Sequence, residues 1–138
     1  MDLLQHSIKE GASSITRKVT SQADTYPYTS GELDFLVSSP ALIANIISKS
    51  SDFLDPLIPS EYITVGRSIE ITHLYPTLVG EELTLTLTVV KVENNMIELE
   101  FEGSDKKGVV YAGKHIRAIV NRTQLLNKAF ERANQRQI

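Results

Sequence analysis

The period of apolar and polar positions changes along this chain, and each change predicts an element. Between Ala12 and Val19 the two kinds mix in short alternation, which predicts a strand. From Ser21 to Leu33 proline, glycine and small polar residues dominate, among them Tyr26-Pro27-Tyr28 and Ser30-Gly31. That composition predicts a loop over 21–38, long enough to act as a lid. Ser39-Pro40 then reads as a helix start, with Ser39 as N-cap and the proline in a turn where its missing N–H costs nothing. Leu42, Ile46 and Phe53 follow along one side, with Ile43, Ile47 and Leu54 beside them. The predicted helix spans 39–55, because Pro56 disfavours helical geometry in the residue before it.

From Tyr62 onward the period is two. Ile63, Val65, Ile69 and Ile71 alternate with polar residues, apart from a shift near Gly66. Leu83, Leu85, Leu87 and Val89 alternate with threonines, and Ile97, Leu99 and Phe101 with glutamates, the pattern of strands with one dry and one wet face. Asn94-Asn95 predicts a tight hairpin turn, and Gly103 to Gly108 a looser one before a long strand from Val109 to Val120. Asn121 and Gln124 have capping-box spacing ahead of an amphipathic helix over 121–134 that carries Leu125, Leu126, Ala129 and Phe130. One apolar helix followed by a meander requires the sheet to curl round the helix, since neither can leave its apolar face in water. The expected fold class is therefore α+β: a hotdog fold, one domain over 1–138, with a five-stranded antiparallel sheet wrapped around a central helix and a short C-terminal helix. Its open edges favour a homodimer, which can pair again into a tetramer.

Composition narrows the chemistry. At 138 residues, 41% hydrophobic and 22% charged, the chain can bury one core. A formal net charge of -3 with no long basic run gives no support to a nucleic-acid partner. The lack of cysteine excludes a disulfide framework, a thiolate metal site and a cysteine nucleophile. No spaced set of His, Asp and Glu suggests a metal, and no cofactor is expected. No apolar run approaches the roughly 20 residues that span a bilayer. The first residues lack a basic-then-apolar leader, so the expected location is cytoplasmic.

Two side chains stand out as candidate chemistry. Ser39 opens a helix whose free amides and positive dipole end can polarise a carbonyl oxygen. His73 closes an alternating strand with the parity of Ile69 and Ile71, and histidine exchanges protons near neutral pH. Each also has a structural reading, as a helix cap and as a hydrogen-bonded core residue. His115 shares the second pair of readings. Gly66 and Gly113 lie inside strands, where glycine marks a bulge or a close approach by a backbone or a ligand.

Ser39-Pro40-Ala41-Leu42-Ile43-Ala44, Thr64-Val65-Gly66, Thr72-His73-Leu74-Tyr75-Pro76-Thr77 with Gly80, and Gly113-Lys114-His115-Ile116-Arg117 occur in an order and spacing that resemble the fluoroacetyl-CoA thioesterase-like branch of the hotdog superfamily. The resemblance implies an acyl-CoA ligand, with CoA as part of the substrate. It implies catalytic roles for Ser39, at the family's threonine position, and His73, and substrate-binding roles for Gly66 and Arg117. The family's catalytic glutamate, eight residues beyond the threonine, falls on Ile47, and no Asp or Glu occurs from Phe35 to Ser51. Asp34 is the nearest upstream carboxylate. Isoleucine can serve neither as nucleophile nor as general base. Two functional readings follow: an acyl-CoA thioesterase, and a non-catalytic binder of acyl-CoA or another small apolar ligand. A purely structural dimer is the third.

Overall fold

Strand alternation gives the sheet one dry face, and that face closes on a helix. The computed structural model describes residues 5–26 and 31–135. Its strands are β1 Ser13–Val19, β2 Tyr62–His73, β3 Glu82–Glu93, β4 Met96–Asp105 and β5 Gly108–Asn121. They form one antiparallel sheet in the order β1-β3-β4-β5-β2. The helices are α1 Ser39–Leu54 and α2 Arg122–Ala133. This is the hotdog arrangement. Only β3, β4 and β5 form a meander; β2 lies at the far edge beside β5, so residues 74–81 carry the chain across to β3.

Leu42, Ile46, Ser50 and Leu54, four residues apart, form the buried stripe of α1. Leu42 and Ile46 pack with Leu83, Leu85, Leu87, Phe101 and Tyr111. Leu54 packs with Ile8, Val89, Ile97, Leu99 and Ile119. Ser50 can sit in this stripe because its hydroxyl donates to the Ile46 carbonyl at 2.6 Å. Ile47 was grouped with the apolar side by its spacing, yet it is 39% exposed. The stripe is narrower than composition suggested.

Two local features differ from the sequence reading for identifiable reasons. In β2 the buried residue is Thr64, while Ile63 and Val65 point to the opposite face and are half-buried. The bulge between Gly66 and Ser68 reverses the parity, so that Ile69 and Ile71 join the core. At the end of β4 the strand runs on through Asp105, and only Lys106 and Lys107 form the turn to Gly108. Gly103 thus lies inside the strand, because a Cβ there would fall within the Tyr111 ring. Gly113 is required on the same ground: a Cβ would come 1.8 Å from the Glu70 carbonyl oxygen.

At the end of the chain the Asn121 side chain caps α2, accepting from the Gln124 amide at 3.1 Å. Leu125, Leu126 and Phe130 remain exposed, and no described residue of α2 is buried. Of the predicted 21–38 loop, residues 27–30, with Pro27, Tyr28 and Ser30, lie outside the described residues. The rest carries short 3-10 turns at Gln22–Asp24 and Gly31–Leu33.

Gly113→Ala should lower stability by about 2 kcal/mol or more, the cost of forcing atoms into a filled interior. Urea denaturation measures it. A midpoint equal to that of the wild type would contradict the close approach of Glu70.

Candidate active site

The start of α1 is capped one residue earlier than the sequence suggested. Ser38, in extended conformation, is the N-cap, and its hydroxyl accepts from the Ala41 amide at 3.2 Å. Ser39 is therefore the first helical residue, and its side chain is released from capping. Instead, Ser39 Oγ lies 2.9 Å from His73 Nε2. The two residues singled out from the sequence are 34 positions apart and share a hydrogen bond.

Which first-turn amides are free follows from the same geometry. Pro40 has no N–H, the Ala41 amide is held by Ser38, and the Leu42 amide donates to the Ser38 carbonyl at 3.1 Å. The Ser39 amide is the first-turn donor left without a partner among the described residues. The sequence reading had assumed several.

Backbone pairing holds both halves of this contact in place. Val37 donates to the Thr77 carbonyl at 2.9 Å, Val79 donates to the Phe35 carbonyl at 2.8 Å, and Leu36 bridges Leu78. The segment before Ser39 is thereby laced to the loop after His73. Behind it, Asp24 is an anchor that the sequence did not reveal. Its carboxylate receives Lys18 Nζ at 2.8 Å and the Ser21 amide at 2.8 Å, and its carbonyl receives the Ser38 amide at 2.8 Å. Burial works to raise the Asp24 pKa. The bonds from Lys18 and Ser21 and the lysine charge together outweigh it, leaving the carboxyl below its ordinary value.

Two clefts flank the Ser39–His73 pair. One, of about 290 Å³, is lined by His73, Val37, Leu42, Tyr75 and Tyr111 among others. The other, of about 360 Å³, is lined by Ser39, Pro40, Tyr26, Leu33 and Leu36 among others. Burial pushes the Tyr111 phenol up to about 12, so it meets the first cleft as a neutral group. Among the described residues no carboxylate bonds to Ser39 or His73. Asp34 sits by Gly31 and joins neither.

Arg117 and Gly66 face each other across β5 and β2, and both meet His115. Arg117 is 2% exposed and makes four interior bonds: Nε to Thr64 Oγ1, Nη1 to His115 Nε2, and Nη2 to Ser51 Oγ and the Thr64 carbonyl, all at 2.7–3.1 Å. Asp55 closes the network, accepting from the Thr64 amide at 3.0 Å and from its hydroxyl at 2.6 Å. Gly66 is exposed on one side. On the other, a Cβ would sit 3.2 Å from His115 Cε1, so the histidine ring accounts for the glycine.

The tautomer of His115 follows from its neighbours. Nδ1 lies 2.9 Å from the Ser68 carbonyl, which can only accept, and Nε2 lies 3.1 Å from Arg117 Nη1, which can only donate. The ring is neutral, with its proton on Nδ1. Burial holds its pKa below the ordinary histidine value; the Ser68 carbonyl opposes this and the Arg117 charge reinforces it. His115 is thus a core residue, and no metal cluster of three or more His, Asp or Glu occurs among the described residues.

The sheet closed on α1 is a hotdog scaffold, and Ser39 and His73 meet at the start of its central helix. The sequence profile of the fluoroacetyl-CoA-specific thioesterase family matches residues 19–123, and the chain belongs to that family. None of the curated proteins compared with the chain matches it. Among solved structures, a hot-dog-like protein from Thermanaerovibrio acidaminovorans is 28% identical, with a TM-score of 0.87 over 92% of this chain and 94% of that one. A Thermus thermophilus thioesterase superfamily member is 17% identical, with a TM-score of 0.81 over 92% and 93%. The fluoroacetyl-CoA thioesterase itself is 18% identical, with a TM-score of 0.80 over 94% and 99%.

His115 gives a pH prediction. Unfolded, it titrates near 6.5; folded, its pKa is lower, so the unfolded chain binds more protons as the pH falls. Its contribution to stability is complete above about pH 6.5 and is lost as the pH falls through the folded value. Thermal unfolding from pH 8 to pH 5 should show a loss that is smaller in His115→Gln. Parallel curves for the two proteins would contradict the assignment.

Proposed function

We propose that this protein hydrolyses a small acyl-CoA thioester, with His73 moving the proton. The observation that carries the proposal is the 2.9 Å contact between Ser39 Oγ and His73 Nε2 at the helix mouth. In this reading the thioester carbonyl oxygen points at the Ser39 amide and the positive end of α1, which stabilise charge as it develops there. His73 Nε2 accepts a proton from a water that the serine orients as the water oxygen bonds to the thioester carbonyl carbon. It then returns the proton to the departing CoA thiolate. Gly66 offers exposed backbone to the ligand, and Arg117 braces that strand from the interior. A variant of the fluoroacetyl-CoA thioesterase has been seen in complex with acetyl-CoA, which supports the ligand class.

The proposal includes a homodimer that covers the edge of β2, whose other side alone is paired, to β5. Sedimentation velocity should give twice the chain mass.

Turnover of a panel of short acyl-CoAs, followed by thiol release, tests the chemistry. Ser39→Ala and His73→Ala should each lower kcat/KM, the latter by about 100-fold or more. Binding of the same esters without release above the His73→Ala rate would leave a ligand-binding protein instead.

A carboxylate at the family's glutamate position should increase turnover. Ile47 is 39% exposed, so Ile47→Glu can be accommodated without burying charge. The variant is expected to raise kcat by at least about tenfold. An unchanged kcat would show that position 47 does not face the reacting thioester.

A further inference from the structure

We propose that Lys106 and Lys107, at the tip of the β4–β5 hairpin, bind the phosphates of the CoA portion of the substrate. This rests on the acyl-CoA reading above and adds a site for the half of the ligand that does not react. The cleft containing His73 shares Tyr75, Pro76, Thr77 and Val110 with a larger one of about 460 Å³, so the two lie side by side. Lys106 and Lys107 are among the residues that line the larger cleft.

Both lysines are exposed, and neither ammonium has an ion-pair partner among the described residues. The cations are presented rather than used. The turn that presents them is fixed: the Lys107 amide donates to Asp105 Oδ1 at 2.8 Å, and Gly108 adopts φ of 136° to close the hairpin.

The spacing suits the ligand. His73 lies opposite Tyr111 in the β2–β5 register. Lys107 lies in the turn just before β5, four residues ahead of Tyr111, and four extended residues reach roughly 13 Å. An extended pantetheine arm spans such a separation, with the thioester at His73 and the phosphates at the lysines. Tyr75, 67% exposed, lines both clefts, and its amide is pinned to the Val110 carbonyl at 3.1 Å. Its ring provides an apolar wall for the arm.

The cleft also holds Glu81 and Asp105, so its formal charge balances. It is therefore poor at collecting free anions. It favours a phosphate delivered to the lysines by an arm already seated in the adjoining cleft, where the second contact gains from high effective concentration.

Calorimetric titration of CoA, pantetheine and inorganic phosphate into wild type and Lys106→Ala/Lys107→Ala tests the assignment. The substitutions lie in an exposed turn, and matched thermal unfolding confirms that the variant folds. Wild type should bind CoA about tenfold more tightly than pantetheine, and the variant should lose that advantage while binding pantetheine as before. Added salt should weaken CoA binding more in wild type than in the variant. Equal CoA affinity in the two proteins would overturn the phosphate site and leave the acyl-CoA reading standing. Inorganic phosphate binding as tightly as CoA would overturn it in favour of a free-anion site. A wild type that binds neither CoA nor pantetheine would remove both proposals together.

Discussion

Burying a guanidinium is costly unless its donors are met, and Arg117 meets them with groups drawn from three elements. Thr64 comes from β2, Ser51 from α1 and His115 from β5, each within hydrogen-bond distance. Among the described residues no carboxylate bonds to the guanidinium. The nearest negative charge is Asp55, one residue removed through Thr64. Burial lowers the Arg117 pKa and the Asp55 charge opposes the shift. The cation therefore acts as a hub, and the bond it makes to His115 is one reason that ring stays neutral.

This hub fixes more than its own surroundings. Ser39, Ile43, Ile47 and Ser51 lie four residues apart and form one row along α1. At its C-terminal end Ser51 accepts from Arg117, and at its N-terminal end Ser39 meets His73. A helix pinned at both ends of one row cannot rotate about its axis without breaking a polar contact at one of them. The apolar stripe of Leu42, Ile46 and Leu54 supplies burial. The polar row supplies register. The Ser39–His73 geometry thus depends on a network about three helical turns away.

Much of this was legible in the residues, and the exceptions have physical causes. The alternating runs marked the strands because each has one dry face, and Ser39-Pro40 marked the helix because proline is confined to first turns. Thr64 was not legible as an interior residue. Its burial depends on Arg117, which lies 53 positions away and donates to it. The shift near Gly66 was legible, and a bulge between Gly66 and Ser68 is there, but which face of β2 is dry ahead of it was not. Gly113 signalled a close approach by a backbone or a ligand, and the Glu70 carbonyl is the group that approaches, which residue types alone could not single out. Asp24 lay in a stretch that read only as loop, and its role needs Lys18 and Ser38 folded around it.

The pair of serines at the start of α1 shows how one local choice separates structure from chemistry. A lone serine there would have to cap the helix, and a hydroxyl held toward the first-turn amides is poorly placed to donate to a histidine on another element. Two consecutive serines divide the work. Ser38 takes the Ala41 amide, and Ser39, one residue on, turns its hydroxyl to His73 while keeping its own amide open. Pro40 reinforces the division by removing a competing N–H from the same turn. The donor left for a carbonyl oxygen thus belongs to the residue that also holds the histidine, which places polarisation and proton transfer about a single point. With Ile47 where the family has its glutamate, any thioester chemistry has to be carried by that convergence.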